Sequence, residues 1–233
     1  MSDNLSYETY LFVSSNKFVI TVISESNENM YKEKLNFENY NSRINFDKLD
    51  YFLETNIFKI EKKLNNFVKK IFIILDLDVF IPIAIGFKKN NYGNNIDLNS
   101  LSHILYDAKD YCKKTINEKK IIHIIIDNYR YNDENYSFFQ KDIKCNNFCL
   151  DIRFICLSID LIHQLEKVLK KYQISLTQTI SSKYINSFLS DGNKDVFLMA
   201  KKIIKGHNPN EVMLVDRTLK NQGFFERFFN FFN

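Results

Sequence analysis

The chain has 233 residues, 45% hydrophobic and 26% charged, with a formal net charge of +4. That length suits one large domain or two small ones. Asn, Lys, Ile and Phe are enriched together, and the lysines fall in scattered pairs such as 69 and 70, 88 and 89, and 170 and 171; this pattern argues against a nucleic-acid-binding surface, which needs clustered charge.

In chain order, residues 9–13 and 18–23 read as strands around a polar turn at 14–17, and 32–37 as a weaker third strand. Leu49, Phe52, Leu53, Ile57, Ile60, Leu64 and Val68 recur at helical spacing and predict a helix over 47–68. Residues 71–87, bracketed by lysine pairs, mimic a membrane span. However, Asp76, Asp78 and Pro82 lie inside, and carboxylates are costly in lipid. Two buried strands around a bend are expected instead. After the turn signal at 90–95, Leu98, Leu101, Ile104, Leu105, Ala108, Tyr111 and Cys112 mark one face of a helix. Residues 120–126 and 150–157 are β-prone. Ser158 is the expected cap of a helix whose inner face is Leu161, Ile162, Leu165, Val168 and Leu169. A strand at 174–179, a helix at 183–188, a turn at 191–193 and a helix at 194–205 follow, then a polar connector over 207–222.

The last ten residues carry the strongest pattern. Around a helix, Phe224, Phe225, Phe228, Phe229, Phe231 and Phe232 fall within an arc of roughly 160°, and Glu226, Arg227, Asn230 and Asn233 fill the remainder. Such segregation predicts a membrane-binding amphipathic helix. Six partly immersed rings supply on the order of 10 kcal/mol gross, offset by the cost of ordering the segment, so binding should be reversible. Docking of this helix on its own domain is the competing reading.

Few residues point to catalysis. Asp76-Leu77-Asp78-Val79 ends an apolar strand and resembles the D-x-D-x-[TV] motif of a haloacid-dehalogenase-type phosphatase, with Phe80 in the motif's last place; in that family the two carboxylates act with Mg²⁺. Asp191 and Asp195 would have to supply the further acidic pair. His123, in an isoleucine-rich run, reads as a structural histidine; His103, His163 and His207 stand alone. Cys145, Cys149 and Cys156 lack the second pair that zinc sites require. No glycine pair forms a phosphate-cradling loop. Four cysteines and no secretory signal at the start imply a reducing cytoplasm. No cofactor, no metal and no enzymatic activity are expected.

The order of elements resembles the bacterial cell-division protein FtsA, a membrane-tethered relative of actin. The family's opening strand, L-D-I-G-T-S-K-V, is matched by Leu11-Phe12-Val13-Ser14-Ser15-Asn16-Lys17-Phe18. Its inserted strand-helix-strand-strand subdomain is matched by residues 96–112, 121–131 and 150–189, with Ile122-His123-Ile124-Ile125 on its histidine-bearing strand. Its amphipathic membrane helix is matched by residues 224–232. The resemblance implies an α/β (α+β) fold: a partial actin-like, ribonuclease-H-type half-lobe over 1–95, the inserted subdomain over 96–190, a remnant helix and linker over 191–221, and the membrane helix over 222–233. Phe12 and Ser14 replace the Asp and Gly of the family's first phosphate loop, and the second loop, D-x-G-G-x-T-T, is absent. A shortened, non-catalytic adaptor is therefore expected on the cytoplasmic face of the inner membrane at the division site. It would tether FtsZ or late division proteins, with possible self-association and no nucleic acid. A pilus-assembly actin-like protein is the alternative within the superfamily.

Overall fold

The computed structural model describes residues 7–39, 42–141, 143–188 and 195–212. Among these the fold is mixed α+β, with two sheets and five helices. It divides into two compact units, Met1–Phe80 with Ser158–Lys205, and Ile81–Leu157 with Gly206–Asn233.

The first unit is built on five strands in the order β3-β2-β1-β4-β9. β1 (Tyr7–Ser14), β2 (Lys17–Ser24) and β3 (Asn29–Asn36) form an antiparallel meander. β4 (Lys70–Asp76) pairs parallel with β1, and β9 (Ser175–Ser181) parallel with β4. Three antiparallel strands continued by two parallel ones are the ribonuclease-H-type half-lobe expected from the sequence. The central strands read as near-continuous apolar runs because both faces are covered. On one face α1 (Phe46–Leu64) brings Phe52 to within 6.0 Å of Phe18. On the other, Phe197 of α5 (Val196–Ile204) meets Tyr10 and Phe12, each at 6.4 Å between ring centres.

α1 starts where the Asn45 side chain accepts from the Lys48 N–H, and ends four residues before the expected Val68. Asn65 adopts φ +49, a left-handed conformation that Asn tolerates and that closes helices. α3 (Ile159–Lys170) packs against β9, and α4 (Ser182–Phe188) against β4, β9 and α5. Ser158 does precede α3, but its side chain makes no capping bond; α3 is held by Ile162, Leu165, Val168 and Leu169 in the core instead.

The second unit is a four-stranded sheet, order β5-β8-β6-β7, with α2 on one face. Its elements are β5 (Ile81–Asn90), α2 (Leu98–Thr115), β6 (Lys119–Tyr131), β7 (Glu134–Tyr136) and β8 (Asn147–Ser158). Leu101, Ile104, Leu105, Ala108 and Cys112 of α2 pack on Ile124, Ile126, Tyr129, Leu150, Ile152 and Phe154. In sequence this unit interrupts the first between β4 and α3. The breaks differ from the expected spans of 1–95 and 96–190. β5 falls in the second unit because it pairs with β8 along ten residues. Residues 159–188, expected in the insertion, belong to the first because β9 pairs with β4. Nor is β5 the buried strand expected within 71–87, since one of its edges meets no strand among the described residues.

Candidate partner-binding edge

The register of β5 on β8 determines which of its backbone groups are available. Residue pairs run from Ile81↔Cys156 to Asn90↔Asn147. Just past that ladder, the Asn91 N–H donates to the Asn146 carbonyl at 2.6 Å, whereas the Asn147 carbonyl accepts from Asn132, at the end of β6, at 3.0 Å. Even-numbered residues of β8 therefore bond β5, and odd-numbered ones face β6. Because antiparallel partners exchange bonds in alternate pairs, Ile83, Ile85 and Phe87 bond β8, while the backbone groups of Pro82, Ala84, Gly86, Lys88 and Asn90 point away from it. Pro82, which has no N–H, occupies one of the positions that would leave that N–H unused.

The side chains sort the same way. Ile83, Ile85 and Phe87 lean half-buried on the α2 side, and Ala84 and Gly86 leave the opposite face of the edge without bulk. A Cβ on Gly86 would sit 3.5 Å from the Asp151 carboxylate, an ordinary contact. Edge strands are commonly blunted by proline and lysine. Here Pro82 guards one end and Lys88 with Lys89 the other, and the five residues between are unguarded. The open face beside the edge carries cross-strand ion pairs, Arg130–Asp151 at 2.8 Å and Arg153–Asp127 at 2.7 Å. Asp151 holds the Arg130 proton more firmly than usual. Across the sheet, Asp97 caps α2, and its bond from the Ser100 N–H holds its carboxyl below the usual range.

The turn matching the family's first phosphate loop is closed on itself. The Ser14 hydroxyl lies 3.1 Å from both the Asn16 side-chain oxygen and the Lys17 carbonyl, and the Lys17 ammonium sits 4.6 Å over the Phe12 ring. Asp76 and Asp78 are exposed at the end of β4, and Asp78 pairs with Lys183 at 2.9 Å. Asp195 does not join them, because it caps α5 by accepting from the Phe197 and Leu198 N–H groups. Asp191 lies outside the described residues. So do Phe224, Phe225, Phe228, Phe229, Phe231 and Phe232.

Among the described residues, no cluster of His, Cys, Asp and Glu suits a metal ion, and no helix is long and apolar enough to cross a membrane. The four cysteines are free thiols that do not gather at one point: Cys145 meets the Asn91 amide, Cys149 meets Arg130, and Cys156 meets Cys112. Burial pushes the Cys156 thiol up to about 12.

Two buried polar groups escape sequence reasoning because their partners are distant in the chain. His123 Nδ1 lies 2.7 Å from Glu211 Oε1, with both side chains buried. Residues 207–212, expected as a plain connector, thus form a strap along β6. In the first unit the Lys201 ammonium donates to the Ser24 carbonyl at 2.7 Å and lies 3.9 Å from Glu8; burial lowers its pKa.

No protein-family model matches the chain, and no curated protein matches it. Solved structures do. One is the cytoplasmic domain of EpsL, an inner-membrane component of the type II secretion system of Vibrio cholerae (8% identity, TM-score 0.40, covering 77% of this chain and 59% of that one). Another is a PilM–PilN type IV pilus biogenesis complex (8%, 0.46, 78% and 49%). A third is a Bacteroides thetaiotaomicron protein with an actin-like ATPase fold and unknown function (12%, 0.32, 81% and 58%). The chain spans between 49% and 59% of the length of these structures.

Proposed function

We propose that this chain is a non-catalytic, actin-like adaptor that captures an extended segment of a partner protein on the β5 edge. The observation that carries this reading is the register of β5, which turns the backbone groups of Pro82, Ala84, Gly86, Lys88 and Asn90 away from β8 beside a half-buried apolar row. An incoming strand would gain main-chain hydrogen bonds there and pack alternate side chains on Ile83, Ile85 and Phe87. Lys88 and Lys89 favour a partner with acidic residues at one end. The self-satisfied turn at Ser14–Lys17 favours an adaptor over a nucleotide-driven machine.

The resemblance to FtsA supplies the finer reading: attachment at the cytoplasmic face of the inner membrane through Phe224, Phe225, Phe228, Phe229, Phe231 and Phe232, and recruitment of FtsZ or late division proteins. A pilus-assembly role fits the same edge. Binding of purified FtsZ and of cytoplasmic peptides from division and pilus membrane proteins, measured against wild type and Gly86→Pro, separates these readings. The expected result is one binder weakened about tenfold by the substitution, as loss of one well-made hydrogen bond predicts. Binders unaffected by Gly86→Pro would refute the edge. Liposome co-sedimentation tests the anchor, and truncation after Asn221 or Phe228→Glu is expected to abolish it. Mg²⁺-dependent phosphatase activity that vanishes in Asp76→Asn would overturn the adaptor reading altogether.

A further inference from the structure

The charges of α1 are sorted by side. Around the helix axis Asp47, Asp50, Glu54 and Glu61 fall within about 60°, and Lys48, Lys59, Lys62 and Lys63 within about 100° on the other flank. Tyr51 and Phe58, seven residues apart, lie on the ridge between the two flanks and are 66% and 69% exposed. The buried stripe of the helix is on the far side, so the core has no use for either ring. Large rings left in solvent on one face mark a contact surface.

The acidic flank borders a groove of about 390 Å³ within the first unit, lined by buried Ile57 and Val68 and by exposed Phe58 and Phe67. Its walls are held in place. The Val68 N–H donates to one Glu61 carboxylate oxygen at 3.1 Å, and the Tyr7 hydroxyl to the Phe67 carbonyl at 3.2 Å. Asp50 accepts from Lys171 at 2.6 Å and from the Tyr172 hydroxyl at 2.9 Å. Glu54, exposed at the mouth, has no ion-pair partner among the described residues. With Lys171 neutralised by Asp50, a cation entering the groove meets Glu54 and Glu61 against Lys69 alone.

We propose that this groove binds a segment of a partner protein in which an arginine lies next to large apolar side chains. The guanidinium stacks on the Phe58 ring and pairs with Glu54, while its apolar neighbours displace water from Ile57, Val68 and Phe67. Arginine suits the place better than lysine, because its planar head can lie on a ring and donate to a carboxylate at once. The row of carboxylates disfavours anionic lipid as the occupant. All these residues belong to the first unit, so the inference does not rest on the β5 edge.

The test pans random peptides displayed on phage against the full-length chain, with Phe58→Ser as the counter-selection target. Counter-selection removes peptides that bind elsewhere, the β5 edge included. Phe58 and Glu54 are both exposed, so neither substitution disturbs the core. The expected peptides carry arginine beside leucine, isoleucine or phenylalanine. Synthetic copies, followed by fluorescence anisotropy, should lose about tenfold in affinity for Glu54→Gln, as loss of one charged hydrogen bond predicts. Replacing the peptide's arginine by neutral citrulline should cost a similar factor. No enrichment over Phe58→Ser, enriched peptides without arginine, or an affinity indifferent to Glu54→Gln would each overturn the proposal. Vesicles of phosphatidylcholine and phosphatidylglycerol supply the other arm. Co-sedimentation should be the same for wild type and Phe58→Ser; a loss in the variant would assign the face to lipid and refute a peptide occupant.

Discussion

Proline scanning along β5 tests the register on which the partner edge depends. Ala84 turns its N–H away from β8, whereas Ile85, paired with Ile152, turns its N–H inward. Ile85→Pro removes a ladder bond and leaves the carbonyl of Ile152, 1% exposed, without its donor. An orphaned buried group costs about 1–3 kcal/mol, and the ring in a paired position adds to this. Ile85→Ala measures the side-chain part, about 1–2 kcal/mol for a half-buried residue. Ala84→Pro loses no ladder bond and reduces the freedom of the unfolded chain, so its net effect is within about 1 kcal/mol of zero. Hydrogen exchange of peptides spanning 147–158, followed by mass spectrometry at increasing urea, reports the opening of this sheet separately from the first unit. The expected gap between Ile85→Pro and Ala84→Pro, after subtracting Ile85→Ala, is about 2 kcal/mol. If Ala84→Pro opens the sheet as readily as Ile85→Pro, the parity is reversed and the edge is not available to a partner.

Burial lowers the pKa of Lys201, so the unfolded chain binds its proton more tightly, and stability attributable to this residue rises with pH up to 10.5. The stability of wild type relative to Lys201→Met should therefore increase from pH 7 to pH 10 in urea titrations; a decrease would mean that Glu8 outweighs burial. Asp50 shows the opposite case, because bonds from Lys171 and Tyr172 hold its carboxyl below 3.8. Its contribution is fully present above that value and lost as pH falls through the lower folded pKa, so Asp50→Asn should flatten the acid limb of the stability curve. Thiol labelling at pH 8 should modify half-buried Cys149 first, with Cys112, Cys145 and Cys156 reacting only on unfolding; rapid labelling of two or more sites in the native protein would contradict their burial.

Local pattern in the sequence was enough to locate β1, β2, β4, α1, α2, α3 and α5 and the class of fold, because each buries one periodic face or a continuous apolar run. The 3-residue β7 has no such pattern and emerges only from its pairing with β6. The turn after β1 was legible as the polar run 14–17, whereas the Ser14 hydroxyl contacts that close it were not.

Contacts between residues far apart in the chain were decided by tertiary structure alone. Strand pairing assigned 159–188 to the first sheet and 81–90 to the second, since a strand's propensity does not name its neighbour. Nor can alternation reveal which strand lies at an edge: Ile-Ala-Ile-Gly-Phe reads alike whether one side or both are paired. His123 and Glu211, 88 residues apart, met because the chain returns to β6 after α5. No local pattern marks Lys201 for burial; α5 carries it to the end of β2, where its partner Ser24 is 177 residues away in the chain. In each case the deciding energy is the burial of a polar or apolar group against a partner that no local window contains.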